Sequence, residues 1–255
     1  MSDAGRDVSD DGFLGGRLRL LQPRRGHRAG HDAVLLAAAT NAQAGGALVD
    51  LGAGVGAAGL AVAVRVTGLD LTLVDIDEAL VALAEENARC NGLIARAVCL
   101  DVAASAELFA AAGLAPDNFD NVIMNPPFND PSRHQPSPLA GRKRAHASDA
   151  STLDLWIHAA RRLLKPGGRL TLIWRAEALG EILAALRVGF GALAILPVHA
   201  KPGARASRVL VGAVKGARAA TALLEGVALN DEAGRPTAYI QSLLNGRDVL
   251  PLAKT

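Results

Sequence analysis

Aromatic side chains are scarce here: five Phe, two Trp and one Tyr make up 3% of 255 residues. Serial stacking against a run of flat ligand groups is thereby excluded, so recognition of a large partner has to rest on charge and shape. Cysteine is nearly absent. Cys90 and Cys99 cannot build a disulfide framework or a zinc site, which fits a cytoplasmic chain; each is read as a small buried hydrophobe, one in a helix and one in a strand. The six histidines form no cluster. His27 and His31 have a ligand-like spacing, but Gly30 and basic neighbours make that stretch a loop, and no metal is expected. Half of the residues are hydrophobic, yet no apolar run reaches spanning length without charges, so a soluble chain with no membrane partner is expected. Residues 1–12 hold four Asp and one Arg with no apolar pattern, and are read as a disordered tail rather than a signal or transit peptide.

What is present is alternation. Short apolar runs at 18–21, 47–51, 71–74, 97–100, 121–124, 169–174, 192–198 and 208–214 predict strands. Helical patterns lie between them at 33–42 (capped by Asp32), 57–66, 77–91, 104–112, 151–164 and 176–186. The helix from 151 is expected to open on a Ser151–Asp154 capping box, and Lys165-Pro166-Gly167-Gly168 to turn the chain into its next strand. The pattern predicts an α/β fold: a doubly wound, mostly parallel, seven-stranded Rossmann-like sheet whose last strand is antiparallel. Four parts are expected: the tail 1–12, an N-terminal cap and loop 13–46, the main domain 47–216, and a C-terminal extension 217–255 packed on it with a short helix near 238–244. Residues 129–150, rich in Pro, Ser and basic side chains, are too long for a mere connection and are read as a mobile, functional loop.

Ligands of such sheets bind at the carboxyl ends of the strands, and the polar signals gather there. The first is the glycine turn Asp50-Leu51-Gly52-Ala53-Gly54-Val55-Gly56. Continued to Ala57 it also satisfies the dinucleotide fingerprint, and Asp75 follows where an acid for a ribose diol belongs, so NAD is a contender on this motif alone. Three features favour S-adenosylmethionine. Asp50 precedes the first glycine, where a carboxylate can face a positively charged amino-acid group; Asp101, ending the third strand of the alternation, can accept from an adenine amine; and Asn125-Pro126-Pro127-Phe128 closes the fourth, where a dehydrogenase has no use for it.

The tetrapeptide suits methylation of a planar nitrogen. An exocyclic amine conjugated to a ring is a poor nucleophile until its lone pair is drawn out of conjugation. The Asn125 amide oxygen and the Pro126 carbonyl can accept its two hydrogens, the prolines stiffen the loop, and Phe128 offers a stacking face. No general base is required, because the proton can leave after transfer.

Charge adds a partner. The formal net charge is only +2, yet residues 13–31, 131–147 and 198–219 hold five, four and five basic residues and no acid, fourteen of the 27 in the chain. Such clustering is the footprint of a polyanion. Arg142, Lys143, Arg144 and Lys201 are the candidate contacts.

These residues resemble the class I S-adenosylmethionine-dependent methyltransferases, and within them the amino-methylating group with the N-P-P-[YF] signature. The block from Gln22 through Arg28 and Asp32 to Ala37 is similar to that of the bacterial tRNA(Val) adenine-N6 methyltransferase group, and the resemblance continues through 50–60, Asp75, 125–128, 165–168 and 201–216. It implies methyl transfer to an exocyclic amine, most closely adenine N6 of an extruded tRNA base, with Arg28 and Asp32 at the substrate side and RNA as the partner. His27 stands where many members carry an aromatic residue, and Gly30-His31 where others carry Thr. A protein glutamine-amide methyltransferase, a small-molecule O-methyltransferase and a non-catalytic RNA-binding protein are the alternatives. No oligomeric interface is legible in the sequence.

Overall fold

The computed structural model describes residues 7–25, 28–127 and 140–255, with the backbone alone for 140–151. It begins on a hairpin. β1 (Val8–Phe13) pairs antiparallel with β2 (Leu18–Pro23), Val8 opposite Pro23 and Phe13 opposite Leu18. The expectation of a disordered tail is therefore corrected over residues 8–12. Its acids are partners rather than solvated charges: Asp10 pairs with Arg19, and Asp11 accepts from Ser9 Oγ at 2.7 Å and from Arg28 at 2.6 Å. The Ser9 hydroxyl, with Arg28 and Gln22 adding to it, holds the Asp11 carboxyl below its ordinary range. Apolar periodicity cannot announce a strand held by a backbone ladder and by charge.

α1 (His31–Ala39) is capped at Gly30, not at Asp32, which sits in the first turn and binds Arg208 at 3.0 Å. Then β3 (Ala47–Leu51), α2 (Ala57–Arg65), β4 (Asp70–Asp75), α3 (Glu78–Cys90), β5 (Ala95–Cys99), α4 (Ala106–Ala111) and β6 (Phe119–Met124) alternate as predicted. α5 (Ala140–Leu163) departs from prediction. Residues 140–150 are helical rather than loop, and Ser151 lies inside the helix instead of capping it. Ala140, Ala145, Ala147 and Ala150 give the stretch high helix propensity, which its basic and polar residues obscured. β7 (Leu164–Arg175) absorbs the Lys165–Gly168 turn as a bulge: Phe119 faces Leu164 but Asn121 faces Arg169, and Gly167 takes φ +79°. α6 (Leu179–Leu186), β8 (Phe190–His199), β9 (Ala206–Lys215), the two-residue strands β10 (Ala222–Leu223) and β11 (Val227–Ala228), and α7 (Ala238–Leu244) complete the chain.

Seven full strands lie in the order β8-β9-β7-β6-β3-β4-β5, with β10 and β11 added beside β8. All neighbours are parallel except β9, the last of the seven in sequence, which runs antiparallel to both β7 and β8. β3 is central, and its alternation builds both cores. Leu48 joins Leu36, Leu60, Leu71 and Leu73 on the α1–α2 face, while Val49 and Leu51 join Phe109, Ile157, Trp174 and Ile182 on the α5–α6 face. Each fully buried leucine contributes about 1.5–3 kcal/mol. The C-terminal residues Leu250 and Leu252 complete the first core, Leu250 donating its N–H to Ala38 at 2.9 Å.

Both cysteines are exposed, which corrects the expectation of burial. Cys90 ends α3, and Cys99 ends β5, an edge strand with one flank open to solvent. No described helix is long and apolar enough to cross a membrane.

Candidate active site

Strand register decides which residues share the carboxyl edge. Leu51 of β3 is paired with Val74 of β4 on one side and Met124 of β6 on the other, and Asp75 is paired with Cys99 of β5. Asn125, Gly52, Asp75 and Cys99 therefore follow one another across four adjacent strands, with Asp101 two residues beyond. Strand order reverses between β3 and β6, which is where open α/β sheets form a crevice.

The glycine turn is braced from below. Ala53 donates to the Val74 carbonyl at 2.9 Å, Gly56 to that of Ala53 at 2.8 Å, and Gly54 to Asp75 Oδ2 at 2.7 Å. Gly54 has φ +57°, and a Cβ built on it would meet nothing within 4 Å, so the turn presents bare backbone outward. Gly52 is covered instead: at φ +69° its missing Cβ would fall 2.8 Å from Cζ3 of Trp156 and closer still to Cη2. Asp75 Oδ1 accepts from Asp77 N–H at 3.0 Å, and Asp77 in turn caps α3 through Ala79 and Leu80. Both carboxylate oxygens of Asp75 thus organise the edge on which they lie.

Asp50 points to the α1–α2 face at 2% exposure, its Oδ2 accepting from Gly59 N–H at 2.9 Å. Burial pushes its carboxyl up to about 7, against the Gly59 bond and with the Asp75 charge adding. The sign is definite. Relative to the unfolded chain the neutral form is favoured, so this group's share of stability is complete below its ordinary range and is lost as pH rises toward 7. A cofactor carrying positive charge reverses the preference. Its affinity is expected to rise several-fold between about pH 6 and about 8, and the rise to be absent in Asp50→Asn; calorimetry across that range checks it, and a flat wild-type profile would place the cation elsewhere.

Asp101 is exposed and accepts from Ala103 N–H at 2.8 Å, while Leu100 donates to the Asp75 carbonyl at 2.9 Å, tying the two acids to one edge. Asn125 is half-buried, Pro126 buried and Pro127 exposed. Phe128 lies outside the described residues, as do the side chains of Arg142, Lys143 and Arg144.

The basic segments differ among themselves. In 13–31, Arg19 and Arg28 pair with Asp10 and Asp11, Arg24 lies 3.8 Å from Asp7, and Arg28 donates also to Ser9 Oγ and the Pro23 carbonyl. The acids that pair with three of its five arginines precede the segment in the chain, so counting charges within 13–31 missed them. In 198–219, Arg208 pairs with Asp32 and Lys215 with Asp117, but Lys201 and Arg205 are exposed and make no ion pair with a described residue. Because β8 runs parallel to β7, its turn into β9 emerges at the carboxyl edge. Three strand spacings put that turn roughly 15 Å from the end of β6.

Two residues of the edge escaped sequence reasoning. Ile76, 65% exposed directly after Asp75, is an apolar surface beside the acid; its signal was an isoleucine set between two aspartates. Trp156 falls within the helix predicted over 151–164 and belongs to no motif. Among the described residues no His, Cys, Asp and Glu group could hold a metal ion.

A bare glycine turn, a buried carboxylate beneath it and acids at its flank fit a cofactor with a ribose diol and a positive charge. Residues 30–201 match the family model described as methyltransferase small domain. The tRNA1(Val) (adenine(37)-N6)-methyltransferase of Bacteroides thetaiotaomicron is 28% identical over 186 residues, 72% of this chain and 75% of that protein. A solved structure described as a predicted O-methyltransferase, from Agrobacterium tumefaciens, is similar at 31% identity with a TM-score of 0.72, over 86% of this chain and 98% of that one. The Thermus thermophilus 16S rRNA guanine-N2 methyltransferase, solved with S-adenosylmethionine and guanosine, shares the fold with a TM-score of 0.56 at 21% identity, over 82% of this chain and 50% of that one.

Proposed function

Since this chain belongs to the methyltransferase small domain family and is an S-adenosylmethionine-dependent methyltransferase, we propose that it methylates an exocyclic amine of an RNA base, adenine N6 of a tRNA in the first place. S-adenosylmethionine supplies a sulfonium methyl that is already activated. The protein's task is to line up the nucleophile and stabilise charge as it moves. Asp75 would accept the ribose hydroxyls, Asp101 the adenine amine, and Asp50 with the bare turn would face the amino-acid end. The Asn125 amide oxygen and the Pro126 carbonyl would hold the acceptor amine by its two hydrogens.

One observation carries the reading: the pairing of Leu51 with Met124, which starts the donor turn and the acceptor tetrapeptide on adjacent strands. The Bacteroides relative, whose described activity is on tRNA adenine, points the same way. The O-methyltransferase description of the Agrobacterium protein favours a hydroxyl acceptor, which needs its proton removed during transfer; the tetrapeptide offers acceptors for hydrogens instead. Transfer of tritium from methyl-labelled cofactor is expected into bulk tRNA. Label in protein glutamine or in a small phenol, with none in tRNA, would displace this reading.

The phosphate contacts are proposed to come from Lys201 and Arg205 at the β8–β9 turn and from the Arg142–Arg144 run in α5. Replacing Arg142, Lys143 and Arg144 together with alanine is expected to raise the Michaelis constant for tRNA, flatten the salt dependence of binding and spare cofactor affinity, since fewer counterions are released. Filter binding across a salt series checks this; an unchanged slope and affinity would take α5 out of the RNA surface.

A further inference from the structure

Trp156 belongs to no motif, yet it rests on the first glycine of the donor turn. α5 returns the chain from the tetrapeptide to β7, and its Leu153, Ile157 and Ala160 are buried in the core with Leu51 and Trp174. Trp156 itself is only partly covered and lies at the margin of that core, where the benzo ring of its indole covers Gly52. Any Cβ at position 52 would have to displace the ring, in addition to the strain of the positive φ there. No side chain separates ring from backbone, so the turn packs directly against α5. Donor turn and acceptor loop begin side by side on β3 and β6, and α5 is the next described element after that loop.

We infer that Trp156 is a positioning residue for methyl transfer: seated on Gly52, its indole fixes the donor turn against the helix that follows the acceptor loop, and so sets the methyl donor's place relative to Asn125. The inference rests on the proposed donor and acceptor sites. Truncation would leave a void beneath the turn, and a displacement of an ångström in a transfer reaction can cost about 100-fold in rate.

Trp156→Phe and Trp156→Ala test this beside the wild type. The chain has two tryptophans, and Trp174 is 1% exposed, so the emission lost in Trp156→Phe isolates the indole on the turn. Titration with S-adenosylhomocysteine is expected to shift wild-type emission and to leave Trp156→Phe emission unchanged. Calorimetry is expected to show binding about tenfold weaker in Trp156→Ala, through loss of preorganisation, and within about threefold of wild type in Trp156→Phe. Turnover on bulk tRNA at saturating cofactor is expected to fall more than tenfold in Trp156→Ala and to be largely kept by Trp156→Phe. Wild-type emission that ignores S-adenosylhomocysteine would overturn the inference, and so would a Trp156→Ala protein with wild-type affinity and turnover. If Trp156→Ala does not fold, wild-type emission and the phenylalanine variant still decide. A wild-type protein that fails to bind S-adenosylhomocysteine would overturn the donor-site reading itself, and this inference with it.

Discussion

Asn125→Ala is expected to turn over about 100-fold more slowly, or worse, while its affinity for S-adenosylmethionine stays within a few-fold of wild type. The argument runs from position to chemistry. Asn125 follows Met124, which is paired to Leu51 and to Leu172, so its backbone is fixed by two strands and the deletion removes an amide without moving the loop. In the proposed reaction that amide is one of two acceptors for the hydrogens of the attacking amine, and it would matter most when the nitrogen becomes pyramidal and positive in the transition state. Asn125→Asp keeps an acceptor and adds charge, and should retain more activity than alanine. Wild-type turnover in Asn125→Ala would make the tetrapeptide a structural turn.

Asp75→Ala is expected to weaken cofactor binding by ~1–3 kcal/mol, roughly 5–150-fold, the scale of losing a charged hydrogen-bond acceptor. The structure adds a second effect. Because Asp75 also accepts from Gly54 N–H and Asp77 N–H, its removal loosens the donor turn and the start of α3, and the melting temperature should fall by several degrees even without cofactor. Asp75→Asn, which keeps one acceptor oxygen, should lie between. A variant with unchanged affinity and a lowered melting temperature would leave Asp75 a bracing residue only.

Much of the sheet was legible because β3, β4 and β6 are apolar runs bounded by Gly, Asp or Asn, and the acids and the tetrapeptide fall at their ends by topology alone. Register was not legible: no single strand says that Leu51 faces Met124. Charge misled where partners are distant in sequence. Arg208 found Asp32, and Arg19 and Arg28 found acids in a segment whose lack of apolar pattern concealed a strand. The start of α5 was hidden for the opposite reason, since a Ser–Asp pair suited to a cap lies at its middle. Trp156 could not be placed, because the periodicity that buries Leu153 and Ile157 says nothing about what meets the ring beyond the end of the core.

The proposed chemistry joins at one point, where the glycine turn and the tetrapeptide begin on neighbouring strands. Incubating the protein with methyl-labelled S-adenosylmethionine and total tRNA, then digesting to nucleosides for mass spectrometry, tests that point most directly. The account predicts labelled N6-methyladenosine, lost in Asn125→Ala; label on a ribose or other oxygen, or none in any nucleoside while the cofactor is bound, would contradict it.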